Sequence, residues 1–179
     1  MKQSGMTLLE LMAVLAIAAI LLTMALPGFA SLAHSSRLSS ATNEMVSLLH
    51  LARSEAIKRN VRAVMCPSAT GGSCAESGGW HQGWILFHDA NNNAALDAGE
   101  VVILTRSGLP EGLRLTGNQP VSRYISYTPE GAAELTSGAF QAGTLTVCEQ
   151  SPGPASARQI IISRTGRPRT VKTTVDACI

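Results

Sequence analysis

The chain has 179 residues, of which 45% are hydrophobic, 15% are charged and only 4% are aromatic. This length allows one membrane or fibre helix and one globular domain of about 120–150 residues. The formal net charge of +2 is too small to identify a partner, so local clusters of charge must do so. The sequence contains no nucleophile–base set, phosphate-binding loop or pair of catalytic carboxylates, and it therefore predicts neither an enzyme nor a cofactor or small-molecule substrate.

The N-terminal segment is apolar apart from one acidic residue. Between Leu11 and Phe29 only Thr23 has a polar side chain, and as a helix this stretch spans roughly 28 Å, close to the thickness of a bilayer core. A carboxylate near such a span is unfavourable, by roughly 2.5–3.5 kcal/mol at the bilayer centre. A plain membrane anchor therefore does not explain Glu10.

The segment SGMTLLELMAVLAIAAIL, residues 4–21, resembles the class III signal of type IV pilins and pseudopilins. The resemblance implies that a prepilin peptidase cuts after Gly5 and methylates the new N-terminus at Met6. It also implies that Glu10 pairs with the free amino terminus of a neighbouring subunit, in a fibre interior whose low dielectric strengthens the pair. Residues 1–5 are then a leader peptide, and residues 6–29 form the helix of the membrane and the fibre core.

A second helical pattern follows the apolar run. Pro27 and Gly28 predict a kink or local unwinding between the two. Residues 30–60 have an apolar face with spacings of three and four, typical of an amphipathic helix that packs on a sheet. The residues of this face are Leu38, Ala41, Met45, Leu48, Leu49, Ala52 and Ala56. We interpret the face as core rather than as a ligand site.

Residues 61–179 consist of short β-rich segments separated by Gly, Pro, Ser and Asn. The predicted strands are 61–66, 83–89, 100–106, 112–117, 122–128, 143–149, 158–164 and 169–175. A long helix followed by strands indicates an α+β fold. The order of ARSEA (52–56), a cysteine-bearing strand and GWILFHD (83–89) resembles the GspH/FimT group of minor pilins and pseudopilins. The resemblance implies a pilin-like "lollipop", in which the long helix packs on an antiparallel β-sheet domain.

A polar loop at residues 89–100 places oxygen side chains at five positions that match the ligand spacing of an EF-hand calcium loop. The five are Asp89, Asn91, Asn93, Asp97 and Glu100. Ala94 occupies the position where the sharp turn requires glycine, and the flanking segments are predicted strands rather than helices. We therefore favour a hairpin connection, with calcium binding as the weaker alternative.

The four cysteines have no zinc-ligand spacing, and they allow three disulfide pairings. A membrane-targeted N-terminus favours disulfides in an oxidising compartment. We favour Cys66–Cys74 and Cys148–Cys178, because each pair closes a local segment and members of the resembled group often staple the C-terminal segment.

Basic residues cluster near the C-terminus with no acid among them: Arg158, Arg164, Arg167, Arg169 and Lys172. Gly166 and Pro168 mark a turn between two strands. Residues 166–169 resemble the G-R-x-R motif of DNA-binding members of the FimT group, which implies that Arg167 and Arg169 contact DNA. The stretch has no aromatic side chain, so base stacking is not expected and binding should be independent of sequence. Alternatively, a charged hairpin tip only protects a sheet edge from aggregation.

Two main functions remain open, beside a calcium-dependent adhesin tip that would rest only on the loop at residues 89–100. The first is a FimT-like minor pilin of a type IV pilus that captures extracellular DNA for natural transformation. The second is a structural minor pilin, or a GspH-like pseudopilin of type II secretion, that primes fibre assembly without binding DNA. Both imply a prepilin peptidase and other major and minor pilins as partners. Both also imply an inner-membrane stage with a periplasmic C-terminal domain, followed by assembly into a fibre.

Overall fold

A computed structural model describes residues 8–179, apart from the side chains of residues 22, 24–28, 30 and 31. The expected cleavage site, Gly5 and Met6, lies outside the described residues. The chain divides into two compact units, with the boundary between Arg37 and Leu38.

Helix α1 (Leu8–Arg59) accounts for the described part of the first unit and continues into the second. Glu10 lies in its first turn and is exposed. The helical conformation continues through Pro27 and Gly28, so of the two expected outcomes, a kink or local unwinding, the second does not occur. One amide hydrogen bond is lost at a mid-helix proline, and the bonds on both sides maintain the helix. Within residues 8–179, no helical stretch combines the length and apolar character needed to cross a membrane.

The C-terminal part of α1 buries the predicted apolar face. All seven residues of that face are buried, and Met45, Leu49 and Ala52 have no exposed surface. Asn60 follows the helix with a φ of 53°, a left-handed conformation that commonly ends helices. The prediction that this face belongs to the core is confirmed.

Each of the eight predicted segments forms a strand, with bounds that differ by a few residues. The strands are β1 (Ala63–Pro67), β2 (Gly83–His88), β3 (Val102–Ser107), β4 (Leu113–Gly117), β5 (Ile125–Tyr127), β6 (Gly143–Glu149), β7 (Ala155–Ile162) and β8 (Pro168–Val175). They form two four-stranded antiparallel sheets, which confirms the expected antiparallel β-sheet domain; the division into two sheets was not predicted. The orders are β3-β2-β1-β5 and β4-β6-β7-β8, because β4 pairs with β6 rather than with β3.

One main core joins the buried face of α1 to one face of each sheet, with Trp84 from the first sheet and Leu145 and Ile160 from the second. The opposite face of the first sheet has a smaller apolar cluster that includes Cys66 and Phe87. Side chains from the polar 89–100 loop pack against this cluster. The first sheet is therefore covered on both faces.

Both expected disulfides are present in the structure. Cys66–Cys74 has a Cα–Cα distance of 5.5 Å, and Cys148–Cys178 has one of 6.0 Å. The second bridge fixes the C-terminal segment beside β6, where Ser151 and Cys178 also exchange two backbone hydrogen bonds of 2.9 Å.

Candidate nucleic-acid interface

Residues 163–167 form a closed turn between β7 and β8. The Gly166 amide donates to the Ser163 carbonyl oxygen at 2.9 Å, and the Ser163 amide donates to the Arg167 carbonyl oxygen at 3.3 Å. The hydroxyl groups of Ser163 and Thr165 lie 2.9 Å apart. We call residues 163–169, which include Arg164, Arg167 and Arg169, the arginine turn. These hydrogen bonds fix the backbone conformation of the turn.

Gly166 anchors the arginine turn to the rest of the domain. It is buried and has a φ of +74°, and a Cβ added there would lie 2.6 Å from the Gly131 carbonyl oxygen and 2.8 Å from Cε1 of Tyr127. Gly131 in turn lies against α1, since its own added Cβ would be 2.8 Å from Cδ1 of Ile57 and 2.9 Å from Nε of Arg53. Only glycine fits at position 166, because any side chain would collide with backbone and ring atoms.

Arg164 contacts an aromatic ring from a distant segment. Its guanidinium carbon lies 3.9 Å from the centroid of the Phe140 ring, well within the roughly 6 Å range of a cation–π interaction. The basic stretch itself contains no aromatic residue, yet the fold brings one to it from the segment between β5 and β6. Sequence reasoning missed Phe140 because residues 131–143 showed no recognisable pattern.

The five predicted DNA-binding cations do not share one surface. Arg167 lies in the turn and Arg169 at the start of β8, and both are exposed. Arg169 is opposite Ile161, whereas Lys172 is opposite Arg158. Because side chains alternate between the faces of a strand, Lys172 and Arg158 lie on the face opposite to that of Arg169. The arginine turn therefore groups Arg164, Arg167 and Arg169, and separates them from the other two.

Arg167 and Arg169 take part in none of the ion pairs found in the part of the chain that the structure describes. The ion pairs found there join other residues: Glu55 with Arg59 and His88, Glu134 with Arg62, and Glu44 with Arg106. Both arginines are exposed, and among the described residues no acidic side chain forms an ion pair with them. Such groups are suited to bind an anion from outside.

A second basic group, at the C-terminal end of α1, has a different role. Arg62 donates to Oγ of Ser126 at 2.8 Å and to the Glu134 carbonyl oxygen at 3.3 Å, and its side chain is largely buried. Arg59 pairs with Glu55 one turn earlier at 3.2 Å. These contacts give Arg59 and Arg62 a structural role.

The polar loop 89–100 connects β2 and β3 as a hairpin, as favoured. Its carboxylates accept hydrogen bonds from the loop itself: Asp89 from the amides of Asn93 and Ala94, and Asp97 from the side-chain amides of Asn91 and Asn93, all at 2.7–3.2 Å. Glu100 accepts from the amides of Ala90 and Asp97. Over the described residues, no group of three or more His, Cys, Asp or Glu is placed to hold a metal ion. The loop's hydrogen bonds give it a structural role.

A helix that covers antiparallel sheets with its apolar face, after an apolar N-terminal segment, defines a pilin-like protein. Residues 1–26 match the family described as the prokaryotic N-terminal methylation motif, and residues 41–166 match the family described as type II transport protein GspH. Because the second match covers more than half of the chain, the protein belongs to the GspH family. It is accordingly a minor pilin or pseudopilin, of a type IV pilus or of type II secretion.

Individual relatives agree with this family. The pilin-like protein PilA1 of Thermus thermophilus is 29% identical over 177 residues, which are 94% of this chain and 99% of that protein. The minor pilin FimU of Pseudomonas aeruginosa superimposes with a TM-score of 0.58 at 18% identity, covering 81% of this chain and 97% of its own. The minor pseudopilin EpsH of Vibrio cholerae gives a TM-score of 0.51 at 12% identity, covering 76% and 97%. The two structures show the shared fold.

Proposed function

We propose that this chain is a minor pilin of a type IV pilus that binds extracellular DNA, without sequence specificity, and supports DNA uptake. The observation that carries the proposal is the exposure of Arg167 and Arg169 on a turn that Gly166 fixes, outside the ion pairs found among residues 8–179. Guanidinium groups contact phosphate oxygens in a bidentate manner, which lysine cannot do. A rigid turn also presents them at a small entropic cost.

The geometry sets the expected strength of binding. Three guanidinium groups on the arginine turn provide about three phosphate contacts, which correspond to a log–log salt slope of about −2.7 on duplex DNA. Contacts of this number give weak binding, around micromolar or poorer at physiological salt. Arg158 and Lys172 contribute less, because they lie on the other face of the hairpin.

The N-terminal segment supplies the route to the fibre in this proposal. Residues 6–29 hold the precursor in the inner membrane, and the peptidase cuts after Gly5 and methylates Met6. In the fibre, Glu10 pairs with the amino terminus of a neighbouring pilin. The large domain is then displayed on the fibre, with the arginine turn available to DNA outside the cell.

The proposal is tested in cells that carry the double variant Arg167→Gln/Arg169→Gln. We expect the variant to enter the fibre normally while natural transformation falls at least tenfold. A matched control, Arg114→Gln/Arg123→Gln, removes the same charge elsewhere on the domain and should leave transformation unchanged. Equal transformation by the double variant and the wild type would refute the DNA role.

A purely structural role is the second candidate, and the match of residues 41–166 to the GspH family supports it. In that case the chain primes assembly of a pilus or secretion fibre, and the arginine turn only protects the exposed edge strand β8. The two candidates differ in one readout. The structural role would be favoured if deletion of the protein abolished secretion or fibre assembly while the double variant of Arg167 and Arg169 left DNA uptake unchanged.

A further inference from the structure

We propose that Arg164 and Phe140 together form a stacking platform for an unpaired base, so that the arginine turn takes single-stranded DNA in preference to duplex DNA. This inference rests on the proposed DNA binding at the same turn, and it specifies the form of DNA that is bound. It comes from a contact that the sequence did not predict, the guanidinium of Arg164 placed 3.9 Å from the ring centroid of Phe140.

Phe140 is more exposed than the other aromatic side chains of the large domain. Among the aromatic side chains of residues 38–179, Phe87 and Tyr127 are buried with both tryptophans, Tyr124 is half-buried, and Phe140 is 53% exposed. Leaving a phenylalanine in water forgoes the stabilisation that its burial would give. Its ring lies against the cationic Arg164. Surfaces that bind single-stranded nucleic acids combine aromatic faces, on which bases stack, with arginine side chains.

The ring is held by a rigid segment. Residues 133–141 form a small hairpin in which Glu134 pairs with Phe140, and the Leu135 amide donates to the Ala139 carbonyl oxygen at 2.8 Å. The next residue, Gln141, has no exposed surface. Its side chain accepts from the Ser126 amide at 2.8 Å and donates to two backbone carbonyl oxygens, at 2.7 and 2.8 Å. Phe140 is thus positioned before any ligand arrives, which lowers the entropic cost of binding.

The charges around the ring are compatible with DNA. The one acid that the register places opposite Phe140 is Glu134, and its carboxylate is paired with Arg62 at 3.7 Å. Arg167 and Arg169 follow Arg164 along the same turn and provide donors for the phosphates beside a stacked base. A single strand can place a base on the platform, whereas a duplex keeps the faces of its bases inside the stack. Stacking of this kind tolerates any base, so binding stays independent of sequence.

The inference is tested by fluorescence anisotropy at low salt, with the full chain in a non-ionic detergent. The probes are a labelled oligothymidine and a blunt duplex of the same length. Phe140→Leu keeps an apolar side chain without the aromatic face, and Arg164→Lys keeps the charge without the guanidinium plane. Each should weaken single-strand binding about fivefold to tenfold, while duplex binding changes less than twofold. Phe140→Trp keeps an aromatic face and should retain single-strand binding.

The outcomes separate this inference from the proposed function. If the wild type binds duplex DNA through Arg167 and Arg169 but Phe140→Leu leaves the single-strand to duplex ratio unchanged, the platform is wrong and the DNA role stands. A parallel loss on both probes would also contradict the platform, because it would indicate a role in shaping the turn. If the wild type binds neither probe, both proposals fail. Circular dichroism and the thermal midpoint confirm that each variant is folded.

Discussion

Gly166 lies so close to Tyr127 that a Cβ added to the glycine would be 2.8 Å from Cε1 of the ring. The contact joins the tip of the last hairpin, in the second sheet, to the edge strand β5 of the first sheet. The same added Cβ would lie 2.6 Å from the Gly131 carbonyl oxygen. The position of Arg167 therefore depends on the packing of Gly166, in the last hairpin of the second sheet, against Tyr127 of the first sheet.

Gly166→Ala should destabilise the domain and loosen the arginine turn. A left-handed φ costs a residue with a Cβ roughly 1–2 kcal/mol, and the collision with Gly131 and Tyr127 adds to it. Urea unfolding should show a lower free energy of unfolding, and binding to duplex DNA should weaken even where the variant is folded.

Gly138→Ala is the matched control for the collision. Gly138 has a φ of +83° but nothing within 4 Å of an added Cβ, so its substitution carries the backbone cost alone. We expect Gly166→Ala to lose clearly more stability than Gly138→Ala. Equal losses would mean that the turn does not pack on Tyr127 as described.

Tyr127→Phe should stabilise the protein slightly and reduce its sensitivity to alkali. The Tyr127 hydroxyl is buried, and within the described structure it has no hydrogen-bond partner. Burial raises the pKa of Tyr127 well above its usual value of 10.0, and the nearby charge of Arg53 only partly opposes this. The folded state therefore holds the phenolic proton more tightly than the unfolded state does, and the free energy of unfolding falls as the pH rises above about 10.

Urea titrations between pH 8 and about 11 test this linkage. The wild type should lose stability over that interval more steeply than Tyr127→Phe, since the variant has no proton to release there. At neutral pH the variant should match or exceed the wild type by about 1 kcal/mol, because an unpaired buried hydroxyl is removed. Parallel pH profiles for the two proteins would show that Tyr127 is not buried in its neutral form.

Removal of the Cys148–Cys178 disulfide should cost more than removal of Cys66–Cys74. Cys148 and Cys178 are separated by 30 residues, and Cys66 and Cys74 by 8. In the chain-entropy model, removal of the longer link lowers the free energy of unfolding by about 3–4 kcal/mol, and removal of the shorter one by about 2–3 kcal/mol. Thermal unfolding of the two double alanine variants gives the comparison. A larger loss of stability without Cys66–Cys74 than without Cys148–Cys178 would contradict this prediction. It would mean that the 67–79 segment depends more on its disulfide than the C-terminal segment does.

A chain that starts at Phe29 should fold as a soluble domain. Every buried apolar side chain found among the described residues lies at Leu38 or beyond, and the second compact unit begins there. The removed residues contribute to the membrane and fibre stages proposed above rather than to this core. Resistance to proteolysis under oxidising conditions is the measurement, and a labile or insoluble fragment would contradict the assignment.

Local patterns predicted most of the elements, while contacts between distant segments were not predictable. The apolar face of α1 and the eight strands follow from spacings within a few residues. Local unwinding at Pro27 does not occur, because a helix tolerates one missing hydrogen bond. The split into two sheets depends on which strands pair, and no local pattern specifies that. For the candidate site, the G-R-x-R resemblance selected Arg167 and Arg169. The contacts of Gly166 with Gly131, and of Arg164 with Phe140, join segments that are far apart in the sequence.

The measurement that tests the central claim most directly is the salt dependence of duplex DNA binding by the full chain and by Arg167→Gln/Arg169→Gln. We predict a log–log slope of about −2.7 for the wild type and about −1 for the double variant, with binding of the variant at least tenfold weaker at low salt. The control Arg114→Gln/Arg123→Gln should keep the wild-type slope. A double variant that binds duplex DNA as tightly as the wild type, with the same slope, would show that the arginine turn is not a DNA-binding site.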